Sequence, residues 1–171
     1  MIRVAVLIIS EKGVSRDYED KSGNIIAEMV KEINGEEVFK NTVDDEFRKI
    51  QEELFNLTER GIADLILTTG GTGFARRDVT PEATMAVIER ETPGISEMMR
   101  WKAGQRTPKA ALTRARAGIR KSTLIVNLPG SPKAVCECLD AILPVLPHGV
   151  EIIKKDYSEQ RYHEMQLWDV F

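Results

Sequence analysis

Unbroken apolar runs alternate along this chain with segments in which apolar residues recur every three or four positions. Val4 to Ile9 is such a run, as expected of a strand buried on both faces of a parallel sheet. After a polar loop, Ile25, Ile26, Met29, Val30 and Ile33 fall on one face of a predicted helix that Ser22 is placed to cap. Glu36 to Val43 reads as a second strand, less apolar and therefore nearer an edge. Asp45 stands where it would cap the next helix, which turns Ile50, Leu54 and Leu57 inward. Ala63 to Thr69 predicts a third buried strand, ending in Gly70-Gly71-Thr72-Gly73.

Further along, Thr80-Pro81-Glu82 opens a helix, proline being favoured in a first turn. Pro93-Gly94 interrupts the chain before a helical stretch carrying Ile95, Met98 and Met99. Ala111 to Ala115 predicts a short strand and Thr123 to Leu128 a clearer one. Pro129-Gly130-Ser131-Pro132 then turns into a helix from Lys133 to Leu146. Alternating strands and helices predict an α/β fold, a mostly parallel sheet covered by helices. With no repeat and no low-complexity linker, residues 1–155 are expected to form a single domain. Residues 156–171, polar with late aromatics, are expected to be a tail or a docking arm.

Composition changes this picture little. A chain of 171 residues suffices for one domain with a sizeable core. The net charge of −3 implies no bulk attraction to nucleic acid or to an anionic membrane. The apolar start is too short to span a bilayer, and it lacks the basic region and cleavage site of a signal peptide. Cys136 and Cys138, two positions apart in a predicted helix, point to different faces and suit neither a disulfide nor a shared metal. Two reduced thiols suggest a cytoplasmic setting.

Chemistry concentrates in four loops at strand ends, where open parallel sheets bind ligands. These are Ser10 to Gly23, Asp44-Asp45, Gly70 to Asp78, and Asn127 to Lys133. In Thr69-Gly70-Gly71-Thr72-Gly73 the glycines allow backbone N–H groups to approach an anion, and the threonine hydroxyls add donors. The motif lacks the Gly-Lys-Ser/Thr ending of a nucleotide P-loop, and Arg76 stands where a dinucleotide fingerprint needs glycine. Glycines also serve any tight strand-to-helix turn. Arg76 and Arg77 suit phosphates, while Asp78 in the same loop would repel them unless a cation such as Mg²⁺ lay between. Asp44 and Asp45 offer further carboxylates, with helix capping the alternative role for Asp45. Between Glu97 and Glu137 there is no acidic residue but nine lysines and arginines, a local surface for a small anionic ligand. No stacking surface or binding module for nucleic acid accompanies it. His148 and His163 have no partners at catalytic or metal-ligand spacing.

The run from Thr69 to Thr84, with Gly70-Gly71-Thr72-Gly73-Phe74-Ala75-Arg76-Arg77-Asp78-Val79-Thr80-Pro81-Glu82 at its heart, closely resembles the signature of the molybdopterin-binding family, in its adenylyltransferase branch. The likeness continues in Tyr18-Glu19-Asp20-Lys21-Ser22-Gly23, Thr92-Pro93-Gly94 and Leu124 to Val135, covering about Arg3 to Glu151. It implies a three-layer α/β/α sandwich, usually a trimer, acting in molybdenum or tungsten cofactor biosynthesis. It further implies transfer of AMP from ATP to molybdopterin with Mg²⁺ and release of pyrophosphate, with a molybdotransferase possible downstream. By the same resemblance Asp45 and Asp78 are the catalytic carboxylates and the Mg²⁺ ligands. Ser10, Thr69, Gly70, Gly71, Thr72, Gly73, Arg76, Pro93, Gly94, Asn127, Pro129, Gly130 and Ser131 would bind substrate. Departures from the family pattern are Ser10-Glu11-Lys12 for Ser-Asp-Arg, Asp44 where proline often precedes the key carboxylate, and Leu112-Thr113-Arg114 for Leu-Ser-Arg.

Overall fold

The computed structural model describes residues 1–11 and 20–168, with side chains through residue 160. Tyr18 and Glu19 of the family-like motif, and the side chain of His163, lie outside what is described. Six strands form one sheet in the order β2-β1-β3-β6-β5-β4. Strands β1 (Ile2–Ser10), β2 (Gly35–Asp44), β3 (Leu65–Thr69) and β6 (Thr123–Leu128) are parallel. Strands β5 (Ala117–Arg120) and β4 (Arg90–Glu91) complete it in antiparallel fashion. The unbroken apolar runs are the central strands, and the mixed β2 is an edge, as its composition predicts.

Alternation along the strands sorts the core into two faces. Val4, Val6, Leu65, Leu67, Leu124 and Val126 pack on one side with Ile26 of α1 (Lys21–Met29), Met99 of α4 (Pro93–Gly104), Leu139 of α5 (Pro132–Ile142) and Val150 of α6 (Leu146–Trp168). Ala5, Leu7, Ile9, Ile66 and Ile125 pack on the other with Ile50, Leu54 and Leu57 of α2 (Phe47–Glu59) and Ala83 of α3 (Thr80–Met85). The result is a three-layer α/β/α sandwich, in which each fully buried Leu or Ile contributes about 1.5–3 kcal/mol.

Several local expectations are revised by tertiary contacts. Ser22 does not cap α1: Asp20 does, its carboxylate accepting the N–H of Gly23 at 2.8 Å. Nor does Asp45 cap α2, which starts one turn-position later with Glu46 at its cap. Ala111 to Ala115 is no strand, since Pro108 starts a 3-10 turn over Pro108–Leu112 and the Arg114 N–H goes to the Thr72 carbonyl. The last helical segment divides at Leu143–Val145, where Pro144 has no N–H to give. Helix α6 then crosses residue 155 without a break. Among the described residues no helix is long and apolar enough to cross a membrane.

Candidate active site

Strand β1 is followed in sequence by its neighbour on one side, β2, and later flanked by β3 on the other. The crossovers therefore diverge between β1 and β3, the switch point at which open α/β sheets leave a crevice beyond the strand ends. A cavity of about 560 Å³ lies there, lined by Ser10, Glu11, Asp20, Asp45, Thr69, Gly70, Gly71, Arg77, Asp78 and Gly130 among others. All four loops singled out in the sequence reach it.

The glycine loop is held by the fold rather than by its own stiffness. Gly70 has φ +102° and Gly71 φ +64°; a Cβ on Gly70 would lie 2.4 Å from the Ile9 carbonyl oxygen, and one on Gly71 would lie 2.3 Å from the Thr80 hydroxyl. Only glycine meets both demands. Thr69 donates to the Pro129 carbonyl at 2.7 Å, and Thr80 to that of Gly70 at 2.9 Å. These hydroxyls brace the loop. Among the described residues no partner takes the N–H groups of Gly71, Thr72 and Gly73, which leaves backbone donors for an anion.

Asp45 and Asp78 both line the cavity, from different loops. Asp44 turns away to Lys49 at 2.5 Å. The Asp44 carboxylate holds the Lys49 ammonium above its ordinary range. Asp45 meets Arg77 only at 3.8 Å, and Arg77 is drawn chiefly to Glu11 at 2.6 Å, which raises its pKa. Asp78 accepts the Ala75 N–H at 2.9 Å. Gly73 makes room for it, since a Cβ there would stand 2.8 Å from the Asp78 carboxylate. Among the described residues no group of three or more His, Cys, Asp or Glu could hold a metal ion. Asp45 and Asp78 are the carboxylates on this cavity that could hold a Mg²⁺ ion, if phosphate oxygens of a ligand completed its shell.

Other expected residues sit apart from this cavity. Arg76 is exposed and Arg77 takes the lining position. Thr72 is buried against Thr113, its hydroxyl 3.2 Å away. Asn127 is fully buried, donating to Thr68 and Thr84 and accepting the Arg116 N–H, so its side chain is spent on joining β3, α3 and the residue that leads into β5. Pro93 and Gly94 start α4 away from the lining. Pro129 and Ser131 face a second cavity of about 340 Å³, walled by Met99, Ala103, Ala110 and Cys138 and edged by Arg100, Lys109 and Lys133. Burial pushes the Cys138 thiol up to about 11, which keeps it inert.

The segment Pro129 to Pro132 thus separates two pockets, Gly130 and Pro132 facing one and Pro129 and Ser131 the other. Ser131 caps α5 through the Ala134 N–H at 3.3 Å, and Ser22 ties α1 to the Gly130 carbonyl at 2.9 Å. Most of the basic run is neutralised by acids distant in sequence: Arg106 by Glu137, Arg114 by Glu82, Arg116 by Glu91, and Arg120 and Lys121 by Glu59. A periodicity reading had no means of finding these pairs, nor of placing Glu11 and Asp20 on the cavity wall.

Fold and site together define an α/β/α sandwich with an open cavity at the carboxyl ends of its parallel strands, and comparison with known proteins specifies the class. Residues 5–148 match the model of a probable molybdopterin binding domain, and the chain belongs to that family. It is 40% identical over 169 residues, 98% of this chain and 96% of the other, to the molybdopterin adenylyltransferase of Helicobacter pylori. The Escherichia coli protein of the same name is 39% identical over 155 residues, covering 87% of this chain and 80% of that one. The molybdopterin biosynthesis enzyme MoaB of Thermus thermophilus has a similar structure, with TM-score 0.84, 44% identity, and coverage of 91% of this chain and 98% of that one.

Proposed function

We propose that this chain is a molybdopterin adenylyltransferase. The terminal phosphate oxygen of molybdopterin attacks the α-phosphorus of ATP. A new P–O–P bond forms, the α–β bridge breaks, and pyrophosphate leaves with the electron pair. The observation that carries this reading is the opening of Asp45 and Asp78, from two different loops, onto one glycine-lined crevice. Near-complete coverage by relatives bearing that name supports it.

In this scheme the Gly71 N–H, on the cavity wall, binds a phosphate oxygen, and Arg77, between Glu11 and Asp45, supplies a cation beside it. Asp45 and Asp78 would hold Mg²⁺, which supplies neutralisation of the phosphate charge. The second pocket, apolar with a cationic edge, suits a flat heterocycle carrying an anionic group. The segment Pro129 to Pro132 then sets the two ligands against each other. Positioning of this kind does most of the work in phosphoryl-type transfer. A homotrimer, a cytoplasmic site of action and hand-over of product to a molybdotransferase belong to the same proposal. Exposed Met98 and Trp101 on α4 offer apolar area for self-association.

The test is adenylation by purified chain with molybdopterin, ATP and Mg²⁺, following pyrophosphate and adenylated product. Turnover is expected, and Asp78→Asn is expected to lower it by about 10²–10³-fold with the fold intact. Ligand binding without turnover by the unaltered chain would refute the enzyme assignment and leave a binding paralogue of the same fold.

A further inference from the structure

Arg114 lines neither cavity, yet its contacts converge on the loop that carries Asp78. Its Nε donates to the Gly73 carbonyl at 2.8 Å, one terminal nitrogen donates to the Asp78 carbonyl and the other pairs with the Glu82 carboxylate. Its own N–H donates to the Thr72 carbonyl at 2.8 Å. One planar guanidinium therefore grips both ends of the segment from Gly73 to Asp78. The residues between, from Phe74 to Arg77, are exposed. Within the segment the exposed Arg77 side chain reaches Glu11 at 2.6 Å, and the remaining fasteners act before or after it: Leu128 on Gly70, and Thr80 on Gly70 and Gly71. Inside it, the Asp78 N–H meets the Ala75 carbonyl at 3.0 Å and the Asp78 carboxylate meets the Ala75 N–H at 2.9 Å. That small ring lies on an exposed turn, and its two bonds close only while the turn's ends at Gly73 and Asp78 are held, as Arg114 holds them.

The chain entering Arg114 is also informative. Thr107, Lys109, Ala110 and Thr113 wall the second pocket, and Thr113 touches the Thr72 hydroxyl. Arg114 follows Thr113 of that wall directly in the chain, so a displacement of the wall would reach the guanidinium one residue on.

We infer that Arg114 is a positioning residue, a pin that holds Asp78 in register with the glycine cradle and links its place to the wall of the second pocket. The inference rests on the adenylyltransfer reading for its effect on turnover, while the pin itself does not depend on it. Lysine keeps the charge but cannot offer three donors in one plane, so Arg114→Lys separates the pin from simple electrostatics.

Two readouts test it. In Arg114→Lys, kcat is expected to fall about 10–100-fold, the cost of misplacing a reacting group by a fraction of a turn, with KM for ATP within about threefold. Amide exchange at Ala75 and Asp78, followed in the free protein, is expected to rise about tenfold while the amides of β3 and β6 keep their protection. Glu82→Gln, which weakens one contact of the three, should show a smaller change of the same kind in both. Unchanged exchange at Ala75 and Asp78 would overturn the inference, as would a uniform rise that includes β3 and β6, the mark of a general structural role. If the unaltered chain does not adenylate, the proposed function fails, and the exchange measurement still decides whether the pin exists.

Discussion

Asp64 and Asp45 sit at opposite ends of the same sheet and are treated in opposite ways. At the amino end, Asp64 is 2% exposed and saturated: it accepts the Arg3 N–H at 2.9 Å and the Arg3 guanidinium at 2.7 Å, and meets Lys154 at 3.2 Å. Burial pushes this carboxyl up, but the hydrogen bonds from Arg3 and Lys154 outweigh it and hold the pKa below the ordinary value. At the carboxyl end, among the described residues, Asp45 meets one cation at 3.8 Å and Asp78 accepts one backbone N–H. The first arrangement consumes a carboxylate to fasten β1, β3 and α6 together. The second leaves two carboxylates with few partners among the described residues, on the wall of a cavity.

The contrast can be pressed from both ends. Asp45→Asn should lower adenylation by about 10²–10³-fold, with a melting temperature no lower than that of the unaltered chain because no native pairing of consequence is lost. A clear fall in melting temperature would mean that Asp45 is a fastener after all. Gly70→Ala should cost about 3 kcal/mol of stability in chemical denaturation, since it combines a positive φ with a clash against the Ile9 carbonyl. Asp64→Asn should cost about 1–3 kcal/mol at neutral pH, Arg3 and Lys154 being partly exposed and able to regain water. Because the folded pKa of Asp64 is depressed, its contribution is full above about pH 4 and disappears as the pH falls through the folded value. The stability curves of variant and parent should therefore converge in acid; parallel curves would rule out a charged role for Asp64. The smallest effect is the sharpest discriminator. Arg77→Ala should weaken ATP binding about tenfold and Arg76→Ala by less than about twofold, measured by calorimetry at several salt concentrations.

Much of this was legible from residue order. Val4 to Ile9, Ala63 to Thr69 and Thr123 to Leu128 declared themselves as buried parallel strands, because burial on both faces leaves no polar alternation. The rim of loops followed from that, since parallel strands place all their carboxyl ends together. Gly70 and Gly71 marked a tight turn after the third strand, and the structure adds that both stand at positive φ. Local pattern failed where two chemically similar neighbours differed only in direction. Asp44 and Asp45, or Arg76 and Arg77, are equivalent to any reading of composition, and the pleat and loop path decide which of each pair faces the cavity. Helix caps failed for a related reason. Ser22 and Asp45 were acceptable caps by type, but Ser22 had a better acceptor in Gly130, distant in sequence, and α2 starts too late for Asp45 to reach its N–H groups.

What residue order decided, then, is which segments are buried, how they alternate and which loops share one end of the sheet, because hydrophobic periodicity and backbone geometry act over a few residues. What only the folded chain decided is the use made of each polar side chain. Asn127 was drawn inward to bridge three elements, the basic run found its acids 25 or more residues away, and the Pro129 to Pro132 segment became a partition between two pockets. A hydrogen bond or an ion pair depends on distances of a few ångströms between groups remote in sequence. Those distances exist only once the layers have packed.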